Sequence, residues 1–492
     1  MNLSKSQYIR GLQCEKALWL HKYRPDLRKI SQQSDRTMST GMSVGELARD
    51  LFPEGESIEF DPKDFQGMVR KTQELIEQGA DTIYEASFSH DGIFVMCDIL
   101  HKEGDGWQMI EVKSATSVKG YYLNDIAMQW FTLSRCDIPL ASACVAVINN
   151  GYTREGALEV DKLFKIIDVT SDIQARQSDV SDNLHRLSSI IEGEMPETPI
   201  GSWCSEPFGC DYRGHCWSDV PSVSVFDLYR LNSKKKFEAW HAGVSIDDAD
   251  EKMSLTKTQR LQVESYRDKQ TRVDPKKIEL FLEKLVYPLS YFDFETFMDA
   301  IPRFDTQRPY QQMPFQYSLH IEHVEGCLEH KEFLADERYD PRRELAQRML
   351  QDISESGSII AFNQSFEITR IKELAEMFSD LKEPLLALIP RFIDLIEPFR
   401  SLAYYHPDFN GSFSIKSVLP AMFPNDKELS YKSLGIQNGG MAMETYAALL
   451  YMAPELREEK RKALLDYCHL DTLAMVKIVK KLRINTLTTN LI

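Results

Sequence analysis

Strand-type runs and turn residues succeed one another along "TIYEASFSHDGIFVMCDILHKEGDGWQMIEVKSATS", with turns at Asp91-Gly92 and Gly104–Gly106, so the pattern predicts consecutive strands. Helical spacing marks "GMSVGELARDLF" before it and "YYLNDIAMQWFTLSRC" after it, and "LASACVAVIN" reads as a further strand. A second mixed pattern starts near residue 286. It holds the strand "LSYFDFETF", the strand and loop "SGSIIAFNQSF", a supporting helix "FSIKSVLPAMF" and the long helix "KALLDYCHLDTLAMVKIVKKL". The stretch between is charged and helical. The expected organisation is an α/β unit over 1–225, a helical connector over 226–285 and a second α/β unit over 286–492, without internal repeats.

Composition narrows the class. The 492 residues are 43% hydrophobic and 10% aromatic, enough for packed cores. There is no apolar run near the ~20 residues of a membrane helix and no secretory leader pattern, so a cytoplasmic protein without a membrane partner is expected. The net charge of −17 gives no global basic footprint, and contact with nucleic acid would rest on local grooves. Nine cysteines, an odd number, argue against a disulfide framework.

The candidate chemistry begins at "LSYFDFETF". Residues two apart on a strand share a face, so Asp293 and Glu295 stand side by side while Phe292 and Phe294 face away. Two like charges on a half-buried strand call for a positive partner, and a divalent metal supplies one. Further along, Asn363, Phe366 and Glu367 follow an apolar strand, and Tyr467 and Asp471 lie one helical turn apart.

These segments resemble the DnaQ-like (DEDD) 3′→5′ exonucleases, whose motifs are Asp-x-Glu, Asn-x-x-Phe-Asp and, in the tyrosine subtype, Tyr-x-x-x-Asp. Glu367 stands where that family has Asp. The resemblance implies an RNase H-like fold and a Mg²⁺ or Mn²⁺ site held by Asp293, Glu295, Glu367 and Asp471. Asn363 would lie nearby, and Tyr467 would orient the attacking water. Two metals would stabilise the attacking and leaving oxygens of a phosphodiester.

The first unit offers a different set. Asp98 ends one apolar strand, Glu111 and Lys113 share a face of the next, and Gln129 follows on a helix. This order resembles the RecB-type PD-(D/E)XK nucleases, including CRISPR-associated members, which have a restriction-endonuclease-like fold. It implies Asp98 and Glu111 as metal ligands, Lys113 as the catalytic lysine and Gln129 behind the site, with Glu85 as a further candidate. A histidine that the family carries on an earlier helix falls at Gly45, and Glu46 is its candidate replacement.

Cys204, Cys210 and Cys216 recur at intervals of six, and Cys14 lies near the start of the same unit. Four thiolates can hold an iron–sulfur cluster or Zn²⁺, and His215 makes a Cys₃His zinc site an alternative. The arrangement resembles the [4Fe–4S] clasp of RecB-like nucleases. Together the resemblances imply a metal-dependent deoxyribonuclease acting on single-stranded DNA or a free 3′ end, in repair, recombination or defence. An RNA-directed exonuclease and a non-catalytic binding module are the alternatives.

Overall fold

A computed structural model describes residues 3–29 and 32–489. The chain is mixed α/β and divides into two compact units, Met1–Val220 with Asp299–Gln311 and Pro221–Met298 with Gln312–Ile492. No helix among the described residues is long and apolar enough to cross a membrane.

The first unit opens with α1 (Lys5–Gln13), α2 (Glu15–Tyr23) and α3 (Gln32–Ala48). Strands β1 (Thr82–His90), β2 (Ile93–Glu103) and β3 (Gly106–Lys113) form an antiparallel meander with the two expected turns. Helix α4 (Gly120–Arg135) crosses to β4 (Leu140–Ile148), which runs parallel to β3, and β5 (Phe164–Asp168) pairs antiparallel with β4. Two short strands, Leu3–Ser4 on β2 and Glu56–Ser57 on β1, complete a seven-stranded sheet. Met109 packs in the core that contains Ile126 and Ala127 of α4, whereas Ile110 and Val112 join Val44 and Ala48 of α3 on the other face. Alternation therefore turns Glu111 toward α4.

The alternation slips at one point. Ile83 and Ala86, three apart, share a core with Cys97 and Leu100, also three apart, on the paired strand. Between them the pairing skips Glu85, at φ +58°, and Asp98. A glutamate in the left-handed region is uncommon, and such distortions recur where a sheet re-aims side chains.

The second unit includes the segment expected as a separate connector. Val225, Leu228, Ala239, Val244 and Val263 form a small core of their own there. The strand Arg272–Val273 pairs with Tyr404–Tyr405, which ties the segment to its unit. The main sheet has five strands: β6 (Leu289–Phe297), β7 (Met313–Val324), β8 (Cys327–Leu334), β9 (Ile359–Ala361) and β10 (Phe392–Asp394). Their order is β8-β7-β6-β9-β10, antiparallel from β8 to β6 and parallel from β6 to β10. Phe292, Phe294, Tyr317 and Leu319 pack on one face with residues of α5 (Ser365–Met377). The opposite face carries Asp293, Glu295, Gln316 and Ser318, and it is covered by the long helix α8 (Pro454–Thr489), which follows α6 (Ile415–Met422) and α7 (Gly439–Leu449). Gln316 Nε2 donates to Leu464 O at 2.8 Å, and the Ser318 and Thr472 hydroxyls are 2.7 Å apart.

Candidate active sites

The second unit brings four distant segments to one cleft of about 280 Å³. Asp293 and Glu295 enter from β6, Asp471 from α8, and an oxygen of each lies within 4.8 Å of the others. Asn363, at φ +74°, turns the chain out of β9, and its N–H donates to Asp394 Oδ1 at 2.8 Å. That turn sets Glu367 in the first turn of α5, where it lines the same cleft, 3% exposed, its Oε2 without a hydrogen-bond partner. Glu367 thus lines the cleft beside the three carboxylates whose oxygens lie within 4.8 Å of one another. The cleft lies beside the carboxyl end of β9, where the chain order of the strands reverses, the usual ligand position of open α/β sheets.

Burial raises all four carboxyl groups. Asp293 is pushed well above the usual range by burial and then by Asp471, Glu367 and Glu295. Burial likewise lifts Glu295 and Glu367 to about 8 each and Asp471 to about 6, where Tyr431 and Lys416 offset part of the effect. Four acids so placed cannot all ionise without added positive charge.

Two contributors were missed from sequence. Lys416 of α6, read only as part of a supporting helix, lines the cleft and donates to the Tyr467 hydroxyl at 3.1 Å. Tyr431 donates to Asp471 Oδ1 at 2.5 Å. Neither sits in a recognisable spacing, so only tertiary structure reveals them.

The first unit gathers a paired-charge site. Lys113 Nζ lies 2.5 Å from Glu111 Oε1 and 3.1 Å from Asp125 Oδ2, and Gln129 Nε2 donates to Glu111 Oε2 at 2.7 Å. Asp98 Oδ2 accepts from the Val112 N–H at 2.7 Å. Lys5 and Asp125 were also missed: Lys5 Nζ is 3.0 Å from Glu111 Oε1 and 3.6 Å from Asp125 Oδ1. Burial works against ionisation of Glu111, but Lys113 and Lys5 overcome it and hold the carboxyl well below its usual range. Asp98 moves the other way, to about 7, through burial and the charge of Glu111.

Glu85 pairs with Arg49 at 3.1 Å and borders this group. Glu46 is exposed on α3 and has no ion-pair partner among the described residues, so the structure does not join it to the site. Cys14, Cys204, Cys210 and Cys216 line one small pocket together with Tyr212. Among the described residues, no three of their sulfurs lie within 4.8 Å of one another. Thiolates around a tetrahedral zinc stand about 3.8 Å apart, given Zn–S near 2.3 Å. His215 is not among the residues lining the pocket.

Residues 290–414 match a family model described as a domain of unknown function, DUF2779. The match spans Asp293, Glu295, Asn363 and Glu367 and stops short of Tyr467 and Asp471. The chain is 28% identical over 208 residues to "Uncharacterized protein MG366" of Mycoplasma genitalium, covering 38% of this chain and 31% of the relative. It is 28% identical over 233 residues to the MG366 homolog of Mycoplasma pneumoniae, covering 44% and 35%. A third relative, "Uncharacterized protein UU173" of Ureaplasma parvum, is 28% identical over 243 residues, covering 44% and 34%. The chain spans about a third of the length of these curated relatives.

Proposed function

We propose that the chain is a divalent-cation-dependent nuclease with two sites, the second unit removing nucleotides from DNA 3′ ends and the first cutting or trimming DNA. The observation that carries this reading is the meeting of Asp293, Glu295, Glu367 and Asp471 in one cleft where, among the described residues, Lys416 is the one cation lining it. Hard carboxylate oxygens, one of them buried without a partner, fit Mg²⁺ or Mn²⁺. Such cations, when bound, stabilise charge on the attacking and leaving oxygens of a phosphodiester.

The chain's own groups supply the rest. Tyr467 is buried and its hydroxyl stays protonated far above neutrality, raised first by burial and then by Asp471, so it can donate a hydrogen bond to an attacking water. Lys416 fixes that hydroxyl. Phe362 and Phe366 line the same cleft and offer aromatic surface to a terminal base. The order of motifs supports the DnaQ-like reading, and the five-stranded sheet is consistent with an RNase H-like architecture.

In the first unit Asp98 and Glu111 would hold a cation, with Lys113 as the ammonium beside the phosphate and Gln129 steadying Glu111. Gln129 Oε1 is buried without a hydrogen-bond partner, an acceptor that suits a cation's bound water. The seven-stranded sheet and this residue order are consistent with a PD-(D/E)XK domain. The four cysteines line one pocket and would supply the four thiolates of a [4Fe–4S] cluster.

The test is cleavage of single-stranded DNA labelled separately at each end, with Mn²⁺, by protein purified without oxygen. Mononucleotide release from the 3′ end should vanish in Asp293→Ala and persist in Lys113→Ala. Cutting that survives Asp293→Ala should vanish when Lys113→Ala is added. A matched RNA strand measures polymer preference, and a wild type that degrades neither polymer defeats the reading.

A further inference from the structure

A second cluster of metal-binding side chains lies under α8, and the nuclease reading does not use it. His320 of β7 and His330 of β8 are directly opposed in the antiparallel register, so their side chains project from the same face. His469 reaches the pair from α8, and a ring nitrogen of each of the three lies within 4.8 Å of the others. His330 Nε2 and His469 Nδ1 are 3.3 Å apart. Two imidazole nitrogens on one tetrahedral zinc stand about 3.3 Å apart, given Zn–N near 2.0–2.1 Å.

The surroundings suit a ligand set. His320 is buried, and His330 and His469 are half-buried. His320 Nδ1 is 2.8 Å from the Thr472 hydroxyl, an outer contact of the kind that orients a metal-bound imidazole and leaves Nε2 free. Glu332 Oε2 lies 4.0 Å from His330 Nε2 and offers an oxygen for a fourth position. The nearest alternative is a network of imidazoles and hydroxyls, because His330 Nε2 is also 3.0 Å from Ser318 Oγ. That network links all three rings, since His469 Nδ1 is 3.3 Å from His330 Nε2, but it engages only one nitrogen of each.

We infer that His320, His330 and His469 bind one divalent transition-metal ion of the zinc class, at a site distinct from the Asp293–Asp471 cleft. Nitrogen donors select such an ion over Mg²⁺. The bound ion would fasten α8 to the β7–β8 hairpin at a position between Tyr467 and Asp471 on that helix.

The experiment dialyses full-length, chelator-treated protein against Zn²⁺ in excess Mg²⁺ and counts zinc per chain by elemental mass spectrometry. Wild type should carry one equivalent more than His330→Gln and than His469→Gln, each checked for native circular dichroism. Asp293→Asn should match wild type. X-ray absorption at the zinc edge of the wild type should show imidazole scattering, a readout that needs no variant to fold. Equal zinc in all four proteins, or an edge spectrum without imidazole, overturns the inference and leaves a hydrogen-bond network. Loss of the extra equivalent in Asp293→Asn also overturns it, since that zinc belongs to the carboxylates.

Discussion

Tyr431 donates a 2.5 Å hydrogen bond to Asp471 Oδ1, and both groups are buried. The bond orients the Asp471 carboxylate, one oxygen of which lies within 4.8 Å of an oxygen of Asp293 and of Glu295. Partners of this outer kind typically contribute 10–100-fold to metal affinity or activity. Tyr431→Phe should therefore raise the Mn²⁺ concentration for half-maximal 3′-end release by about 10–100-fold, with unchanged circular dichroism. A metal-activation titration checks it.

Tyr467 and Lys416 form the other polar pair of the cleft, 3.1 Å apart. If Tyr467 aligns the attacking water, its removal acts on the chemical step and not on strand binding. Tyr467→Phe should lower kcat by roughly 10²-fold with KM nearly constant, the scale of a misplaced reacting group. Steady-state kinetics on an end-labelled strand read the split.

The raised carboxyl groups of the second unit have a direct consequence for stability. A folded pKa above the unfolded value means stability that is present below the unfolded pKa, near 4, and lost as pH rises through the folded one. For Asp471, at about 6, and for Glu295 and Glu367, at about 8, that window runs from about pH 4 to 8. The metal-free protein should melt several degrees lower at pH 8 than at pH 5. Mn²⁺ should restore the loss mainly at pH 8, by binding the ionised folded state. Glu295→Gln should flatten the profile. Scanning calorimetry with and without Mn²⁺ follows all three.

Much of this is legible in the sequence. Asp293 and Glu295 share a face because strand period is two, and Tyr467 and Asp471 share one because helix period is near four. The β1–β3 meander was visible because its turns carry Asp-Gly and Gly residues. Strand β7 was not: ten of its residues from Met313 to Glu322 are buried on both faces, which erases alternation. Lys5, 106 residues from Glu111, and the histidines at 320, 330 and 469 carry no spacing signal, since strand register and helix docking alone bring them together. The slip at Glu85 and Asp98 was hidden for the same reason, being a property of two paired strands.

Lys5 gives the first unit a pH signature. It lies 3.0 Å from Glu111 and, after Lys113, is the charge that keeps this carboxyl ionised against burial. Lys5→Met removes that support, so the pKa of Glu111 should rise. The acid limb of first-unit cleavage, measured with Asp293→Ala as background, should then move to higher pH by about one unit, the low end for loss of an adjacent opposite charge. A limb that stays in place would mean that Lys113 alone sets the ionisation of Glu111.

The cysteine pocket joins the two ends of its unit. Cys14 stands at the junction of α1 and α2, while Cys204, Cys210 and Cys216 come from one later loop. Asp211, between two of them, is ion-paired to Arg10 and Arg28 at 3.0 and 2.9 Å, so the loop is already tied to the start of the chain without a cluster. A cluster bound by the four proposed thiolates would add to that fastening by favouring the folded state. Cys210→Ser should abolish the iron and sulfide content of anaerobically purified protein and lower the melting temperature of the first unit. The melting of the second unit, identified as the transition whose response to Mn²⁺ is lost in Asp293→Ala, should not move. Iron and sulfide assays run beside zinc analysis separate the metals, and zinc in place of iron in the wild type would assign the thiolates to Zn²⁺.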